Sequence, residues 1–202
     1  MPLNADVEHH KSKMAKKKAA RDKIMAAKTE SRGLMIVHTG KGKGKSTAAW
    51  GLAMRTLGHG LRVGIVQFVK GKWDTGERSI FENFPDLCVI EAFGEGFSWE
   101  SQDLERDRVA AARAWDAAVK LMNDESMALV IFDEINIALR YGQLEATQVL
   151  SEIANKRPDL HVVLTGRNAL PEIIEAADLV TEMTQIKHPF RSGVKAQVGI
   201  EF

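Results

Sequence analysis

The sequence predicts an α/β protein with a mostly parallel sheet flanked by helices, and three observations support this class. After residue 32, short β-branched runs alternate with longer amphipathic ones, and Gly or Pro stands at the joints. Several short runs are apolar throughout, which is typical of strands covered by helices on both faces. A glycine-rich segment also separates the first apolar run from a helix-forming segment.

The elements after residue 32 follow from this alternation. Strands are predicted at 34–38, 62–68, 87–91, 128–133 and 161–165. Helices are predicted from the glycine-rich segment to about residue 57, then at 102–123, 143–155 and 170–177. Trp115 falls on the apolar stripe of the second helix and Cys88 in the third strand, so both are expected in the core. An ordered loop at 187–191 and a last strand at 196–202 are expected to end the chain.

Length and composition exclude several classes of protein. The 202 residues suffice for one domain with a real core and an extension. No apolar run approaches the roughly 18 residues that span a bilayer, and the N-terminus lacks the apolar core of a signal peptide. A cytoplasmic protein with no membrane partner is therefore expected. A single cysteine excludes an intrachain disulfide and a cysteine metal cluster.

The charge divides the chain into a basic arm at 1–32 and a domain at 33–202. The arm carries nine Lys and Arg against four Asp and Glu, a net charge of +5, whereas the domain carries −4. Clustered lysines could attract nucleic acid or another anionic partner. We favour a solvated, flexible and partly helical arm, because it has no aromatic residue on which bases could stack. Nucleic acid is not expected as a partner.

The glycine-rich segment is predicted to bind phosphate, and it consists of Thr39, Gly40, Lys41, Gly42, Lys43, Gly44, Lys45, Ser46 and Thr47. Glycines let backbone N–H groups turn inward, and the start of the next helix adds a positive dipole. Lys45 can reach phosphate oxygens, and the Ser46 hydroxyl can ligate Mg²⁺ or Mn²⁺. The usual pattern has a glycine five residues before Gly44, where this chain has Thr39, so the loop is a variant.

A second element of a nucleotide site is the apolar run at 128–133, which ends in Asp133 and is followed by Glu134. In phosphate-loop proteins an acidic residue at the end of such a strand holds the metal opposite the loop hydroxyl. Either carboxylate could do so here. Together the two elements predict the fold of phosphate-loop (P-loop) NTPases, of RecA-like type.

The fate of the nucleotide does not follow from the fold. Glu134 could act as a base, as in a phosphate-loop ATPase or a small-molecule kinase. A nucleotide-dependent binding module without catalysis is a further alternative.

Six further stretches, at 66–73, 76–77, 96–100, 165–167, 187–188 and 193–201, carry a resemblance to a known family. They resemble the corrinoid adenosyltransferases of the cob(I)alamin adenosyltransferase family that carries a phosphate loop. The resemblance covers nearly all of 33–202. That family's loop typically reads Thr-Gly-x-Gly-Lys-Gly-Lys-Thr-Thr, and this chain has Lys41 at the variable place and Ser46 for the first threonine.

The resemblance implies transfer of the 5′-deoxyadenosyl group of ATP to the cobalt of a reduced corrinoid, with release of inorganic triphosphate. The corrinoid would be cob(I)alamin, cobinamide or cob(I)yrinic acid a,c-diamide. Lys41, Lys43, Lys45 and the metal would stabilise the leaving triphosphate. In similar enzymes the nucleotide lies reversed in its loop, and we hypothesise that the variant register is linked to this reversal.

The resemblance also assigns roles outside the loop. Phe97 and Trp99 would exclude the lower axial ligand of the corrinoid and, with Lys45, are the candidate catalytic residues. Ordinary core packing is the alternative for both aromatic residues. The family further implies a homodimer, an electron donor such as a reduced flavoprotein, and an N-terminal arm that closes over the corrinoid. His188 could contact nucleotide across an interface.

Overall fold

A computed structural model of the chain describes residues 3–69, 76–94 and 104–201. Contacts divide the chain into two compact units, Met1–Arg32 and Gly33–Phe202. The first unit consists mainly of helix α1, Leu3–Ala26. In the part of the chain described, no helix is both long enough and apolar enough to cross a membrane.

The second unit is built on a six-stranded sheet whose strand pairs are all parallel. Its strands are β1 Met35–Thr39, β2 Arg62–Gln67, β3 Cys88–Ala92, β4 Met127–Asp133, β5 His161–Thr165 and β6 Leu179–Glu182. The order across the sheet is β3-β2-β4-β5-β1-β6. The predicted class is confirmed, and the first five strands lie within one residue of their predicted bounds.

The helices of this unit cover both faces of the sheet. They are α2 Lys45–Gly58, α3 Gly76–Phe81, α4 Leu104–Asn123, α5 Ile135–Arg140, α6 Ala146–Ala154 and α7 Pro171–Ala176, with a 3₁₀ turn at Pro189–Ser192. Apolar residues of α2 and α3 share one core cluster, and those of α4 to α7 share another.

Alternation along the strands divides the core between the two faces. In β4, Leu129 and Ile131 pack with α2, whereas Val130 and Phe132 pack with α4. The Trp115 ring lies edge-on to that of Phe132, with centroids 5.6 Å apart. Trp115 and Cys88 are both buried, as predicted.

The end of the chain differs from the prediction. Residues 196–201 form irregular structure and turns, and Gly199 has a left-handed φ of 79°, so the predicted strand at 196–202 is wrong. The last strand is β6, which was not predicted. All four of its residues are exposed, because it lies at the edge of the sheet and lacks the apolar run of a covered strand. Helices α3 and α5 were also missed, since six residues are too few to show a helical period.

Candidate nucleotide site

The phosphate loop joins the end of β1 to the start of α2, and two of its glycines adopt a conformation that other residues avoid. Gly40 has a φ of 95° and Gly44 a φ of 104°, both left-handed. Gly44 is the residue before the first turn of α2, so the loop delivers the chain directly into the N-terminus of that helix. The helix dipole and the free N–H groups of its first turn favour an anion there.

The loop packs closely against Met183, the residue that follows β6. The Met183 N–H donates to the Thr39 carbonyl at 2.9 Å, and the Gly42 N–H donates to the Met183 carbonyl at 2.6 Å. A Cβ atom on Gly40 or Gly42 would lie 2.5 Å or 2.7 Å from that carbonyl oxygen. Glycine is therefore required at these positions for close approach to the neighbouring backbone.

Lys45 begins α2, and its side chain folds back over the loop. The side chain is buried, and its ammonium donates to the Gly42 carbonyl at 2.5 Å. Burial lowers the pKa of Lys45, and the negative charge of Glu134 opposes this effect. Lys45 and the carboxylates at the end of β4 thus belong to one electrostatic site.

Asp133 is the last residue of β4, and each of its two carboxylate oxygens accepts a hydrogen bond. Its side chain is 1% exposed. The Thr165 hydroxyl donates to Oδ1 at 2.7 Å, and the Gln67 amide donates to Oδ2 at 3.4 Å. Because the three residues end neighbouring strands β5, β4 and β2, the sheet order itself fixes the orientation of the carboxylate.

Glu134 lies at the turn between β4 and α5, with a left-handed φ of 66°. Its N–H donates to Thr165 Oγ1 at 2.9 Å, so one hydroxyl bonds both acidic residues. Glu134 is half-buried and is therefore more accessible than Asp133. A non-glycine residue in this conformation costs about 1–3 kcal/mol, and such strain concentrates at functional sites.

The turn after β5 is also bonded to the start of the loop. The Gly166 N–H donates to the His38 carbonyl at 3.2 Å, and the Ala169 N–H donates to Thr39 Oγ1 at 2.9 Å. Neither Thr165 nor Arg167 was predicted as a site residue. Their only signal in the sequence was the resemblance at 165–167.

The remaining loop lysines differ in their surroundings. Lys41 is exposed. Lys43 forms an ion pair with Glu201, and the hydrogen bond from Lys43 lowers the pKa of the Glu201 carboxyl. The end of the chain therefore supplies a counter-charge to the loop.

Two histidines, the buried His38 and the candidate His188, have local contacts. His38 is buried, with Nδ1 3.3 Å from the Lys45 carbonyl oxygen, and burial lowers its pKa. His188 accepts a hydrogen bond from the Phe190 N–H through Nδ1 at the start of the 3₁₀ turn. Phe97 and Trp99 lie outside the described residues.

The metal-binding groups that the site offers are oxygens, from the Ser46 hydroxyl and the carboxylates of Asp133 and Glu134. Across 3–69, 76–94 and 104–201, no group of three or more His, Cys, Asp or Glu side chains could hold a metal by itself. This set fits Mg²⁺, which typically takes one or two carboxylates and completes its shell with water and phosphate oxygens.

A phosphate loop follows β1 and an acidic pair stands at the end of β4, with β5 between these two strands in the sheet. Together they define a nucleotide-binding protein of the phosphate-loop class. The crystal structure of the RadB recombinase shares this fold, with a TM-score of 0.50 and 14% identity over 79% of this chain and 78% of that one. The predicted RecA-like type is confirmed.

The chain belongs to the ATP:corrinoid adenosyltransferase BtuR/CobO/CobP family, whose model matches residues 31–202. A second model, described as cob(I)alamin adenosyltransferase N terminal, matches residues 1–25. A corrinoid adenosyltransferase of Sinorhizobium sp is 54% identical over 100% of this chain and 95% of its own length. The corrinoid adenosyltransferase of Pseudomonas aeruginosa is 48% identical over 96% of each chain, and that of Escherichia coli K12 is 39% identical over 96% and 98%.

These similarities confirm the resemblance found in the sequence. The protein is a transferase that acts on ATP and a corrinoid.

Proposed function

We propose that the loop at 39–47 holds the triphosphate of ATP as a leaving group while the 5′-deoxyadenosyl group moves to the Co(I) centre of a corrinoid. The observation that carries this proposal is the position of Lys45. Its buried ammonium lies over the loop, in the field of Glu134 and Asp133. A bound polyanion would offset the burial that lowers the pKa of Lys45, because an adjacent negative charge favours the ammonium form.

The proposed reaction is a displacement at the ribose C5′. The electron pair of Co(I) forms the cobalt–carbon bond, the bond between C5′ and the triphosphate oxygen breaks, and its electron pair leaves with inorganic triphosphate. Cobalt is oxidised formally from Co(I) to Co(III), and no phosphoanhydride bond breaks. Lys45, the loop N–H groups and the start of α2 would stabilise the charge that grows on the leaving oxygen.

Mg²⁺ or Mn²⁺ would be held by the Ser46 hydroxyl and by a carboxylate after β4. We assign the direct contact to Glu134, because it is half-buried, whereas Asp133 is 1% exposed and has hydrogen bonds to both oxygens. Asp133 would then orient the end of β4. When bound, the metal supplies positive charge to the triphosphate oxygens.

Phe97 and Trp99 are proposed to exclude the lower axial ligand of the corrinoid, which makes the cobalt easier to reduce. The corrinoid would be cob(I)alamin, cobinamide or cob(I)yrinic acid a,c-diamide, in adenosylcobalamin biosynthesis or salvage. An electron donor such as a reduced flavoprotein would supply Co(I), and the reaction would take place in the cytoplasm.

A homodimer is proposed as the assembled form. It is supported by apolar side chains that this chain leaves uncovered after β6, among them Ile186 at 86% and Phe190 at 77% exposure. Such surface commonly marks an interface with another chain. Sedimentation that gives the mass of one chain at micromolar concentration would contradict this proposal.

The N-terminal arm is proposed to act as a lid over the corrinoid. The match of residues 1–25 to a model of this enzyme's N-terminus supports a role in the reaction. Deletion of residues 1–28 should raise the KM for the corrinoid while leaving ATP affinity unchanged. An unchanged KM for the corrinoid would contradict the proposal that the arm is a lid.

The products of the reaction test the central proposal. The protein is incubated anaerobically with ATP, Mg²⁺ and a chemically reduced corrinoid, and the corrinoid absorbance is followed. We expect a light-sensitive cobalt–carbon product and one inorganic triphosphate for each cobalt adduct. ADP and phosphate would instead support an ATPase, and a phosphorylated acceptor would support a kinase.

A further inference from the structure

We infer that Arg167, in the turn after β5, is a further phosphate-binding residue whose guanidinium contacts the triphosphate of ATP together with Lys45. The inference rests on the proposed function, since it assigns a second cation to the same leaving group. The backbone of the turn, its packing and its charge support this inference.

The backbone places Arg167 beside the start of the phosphate loop. The residue before it, Gly166, donates to the His38 carbonyl at 3.2 Å, and Ala169 donates to Thr39 Oγ1 at 2.9 Å. The two acceptors are the last residues of β1, directly before Gly40. Arg167 is therefore held between two attachments to the strand that leads into the loop.

The conformation of the turn is fixed by its packing against Asn136. Gly166 has a φ of 131° and Asn168 a φ of 54°. The fully buried Asn136 amide lies 3.4 Å from the Gly166 carbonyl that accepts its hydrogen bond, and a Cβ on Gly166 would lie 2.9 Å from Asn136 Cβ. A turn with left-handed residues on both sides of an arginine is retained where the surrounding structure requires it, and such turns cluster at ligand sites.

The positive charge of Arg167 acts on the Lys45 ammonium, the group that the loop is proposed to present to phosphate. It lowers the pKa of Lys45, and its effect is larger than that of Lys43 within the loop. Among the ion pairs of the described residues, none includes Arg167, whose side chain is exposed. Two neighbouring cations repel each other, and an anion bound between them removes the repulsion.

A triphosphate is the anion that fits this pair. A guanidinium presents a planar fork of donors that matches two phosphate oxygens, whereas an ammonium acts as a point charge. With Lys45 over the loop and Arg167 in the turn after β5, the strand that neighbours β1 in the sheet, the site can hold two parts of one extended polyanion. Growth of charge on the leaving group would strengthen both contacts.

The experiment measures the affinity for inorganic triphosphate and for ATP by calorimetry, in the full-length protein with Mg²⁺. The variants are Arg167→Ala, Arg167→Lys and the matched control Arg55→Ala, which removes an exposed arginine from the last turn of α2, at the other end of the helix from the loop. We expect Arg167→Ala to weaken triphosphate binding by about 10- to 100-fold, as for loss of a hydrogen bond to a charged group. Arg167→Lys should recover part of the loss, and Arg55→Ala should bind within about twofold of wild type.

The outcomes separate this inference from the proposed function. If Arg167→Ala binds triphosphate as Arg55→Ala does, the inference is wrong while the proposed function stands. If the wild-type protein itself binds neither ATP nor triphosphate, the proposed function fails first. Thermal unfolding of each variant shows whether a loss of affinity arises from loss of the fold, and an equal loss with Arg167→Lys at unchanged stability would establish that the guanidinium geometry is needed.

Discussion

The Thr165 hydroxyl donates a hydrogen bond of 2.7 Å to the Asp133 carboxylate, and the two residues end neighbouring strands. The same hydroxyl accepts from the Glu134 N–H at 2.9 Å. One buried oxygen thus fixes the acidic pair on which the metal proposal depends. It also connects β4 to the turn that carries Arg167.

Replacing Thr165 with valine should destabilise the protein and disturb the acidic pair. The valine keeps the branched shape but leaves the Glu134 N–H and one oxygen of Asp133 without this partner, at a cost of about 1–3 kcal/mol. Urea unfolding measures the loss of stability, and a titration of activity with Mg²⁺ measures the effect on the site. Thr165→Ser keeps the hydroxyl and should stay within about 1 kcal/mol of wild type. Equal stability of the valine variant and wild type would contradict this prediction.

Glutamine at Glu134 and asparagine at Asp133 should have different effects. Because Glu134 is the more accessible of the two, Glu134→Gln is expected to raise the Mg²⁺ concentration for half-maximal activity by about tenfold or more, with little change in stability. Asp133→Asn should chiefly lower stability, because it disrupts buried hydrogen bonds with Thr165 and Gln67. If Asp133→Asn raised the required Mg²⁺ concentration more than Glu134→Gln did, at equal stability of the two variants, Asp133 would be assigned the direct metal contact and Glu134 the structural role.

Removing the carboxylate of Glu201 should strengthen triphosphate binding. Glu201→Gln releases Lys43 from its ion pair and removes one negative charge beside the loop, so we expect an affinity gain of a few-fold at low salt. The gain should shrink as salt rises. Glu152→Gln, which makes the same charge change on the exposed surface of α6, is the control and should not change the affinity.

The same pair has a defined pH dependence. The hydrogen bond from Lys43 lowers the pKa of Glu201 in the folded state. The contribution of the ion pair to stability is therefore fully present above the ordinary glutamate pKa of 4.5. The contribution is lost as the pH falls through the lowered pKa of the folded state. The difference in unfolding free energy between wild type and Glu201→Gln should be below about 1 kcal/mol at neutral pH and vanish in acid. A difference in unfolding free energy that grows as the pH falls would contradict this prediction.

Alanine at both Phe97 and Trp99 should leave ATP binding intact while lowering adenosylation sharply. The reason is that both residues are proposed to act on the corrinoid and not to bind the nucleotide. Calorimetry with ATP and an adenosylation assay with reduced corrinoid give the two readouts. Unchanged turnover, or a loss of turnover that parallels a loss of stability, would assign these residues to the core instead.

The sequence predicted the parts of the site that are local in the chain. The glycines and Lys45 form a contiguous motif, and Asp133 and Glu134 end an apolar run, so their residue types and spacing were sufficient. Three further residues come to the site only through the order of the strands and the path of the chain end. Thr165 bonds the acidic pair, Arg167 lies in the turn after β5, and Glu201 pairs with Lys43. Glu201 is 158 residues from its partner Lys43. No periodicity encodes such pairs, and the edge strand β6 was missed because it lacks the apolar pattern of a covered strand.

The close packing of Gly40 and Gly42 on Met183 links the phosphate loop to the least protected strand of the sheet. Within 3–69, 76–94 and 104–201, β6 pairs with β1 alone, and its four residues are exposed, so its opening should require less free energy than that of β4. Fraying of this edge removes the Met183 carbonyl from the loop, and a loop that has bound ATP must in turn hold the edge closed. Amide hydrogens of β6 should therefore exchange more slowly in the presence of nucleotide than in its absence.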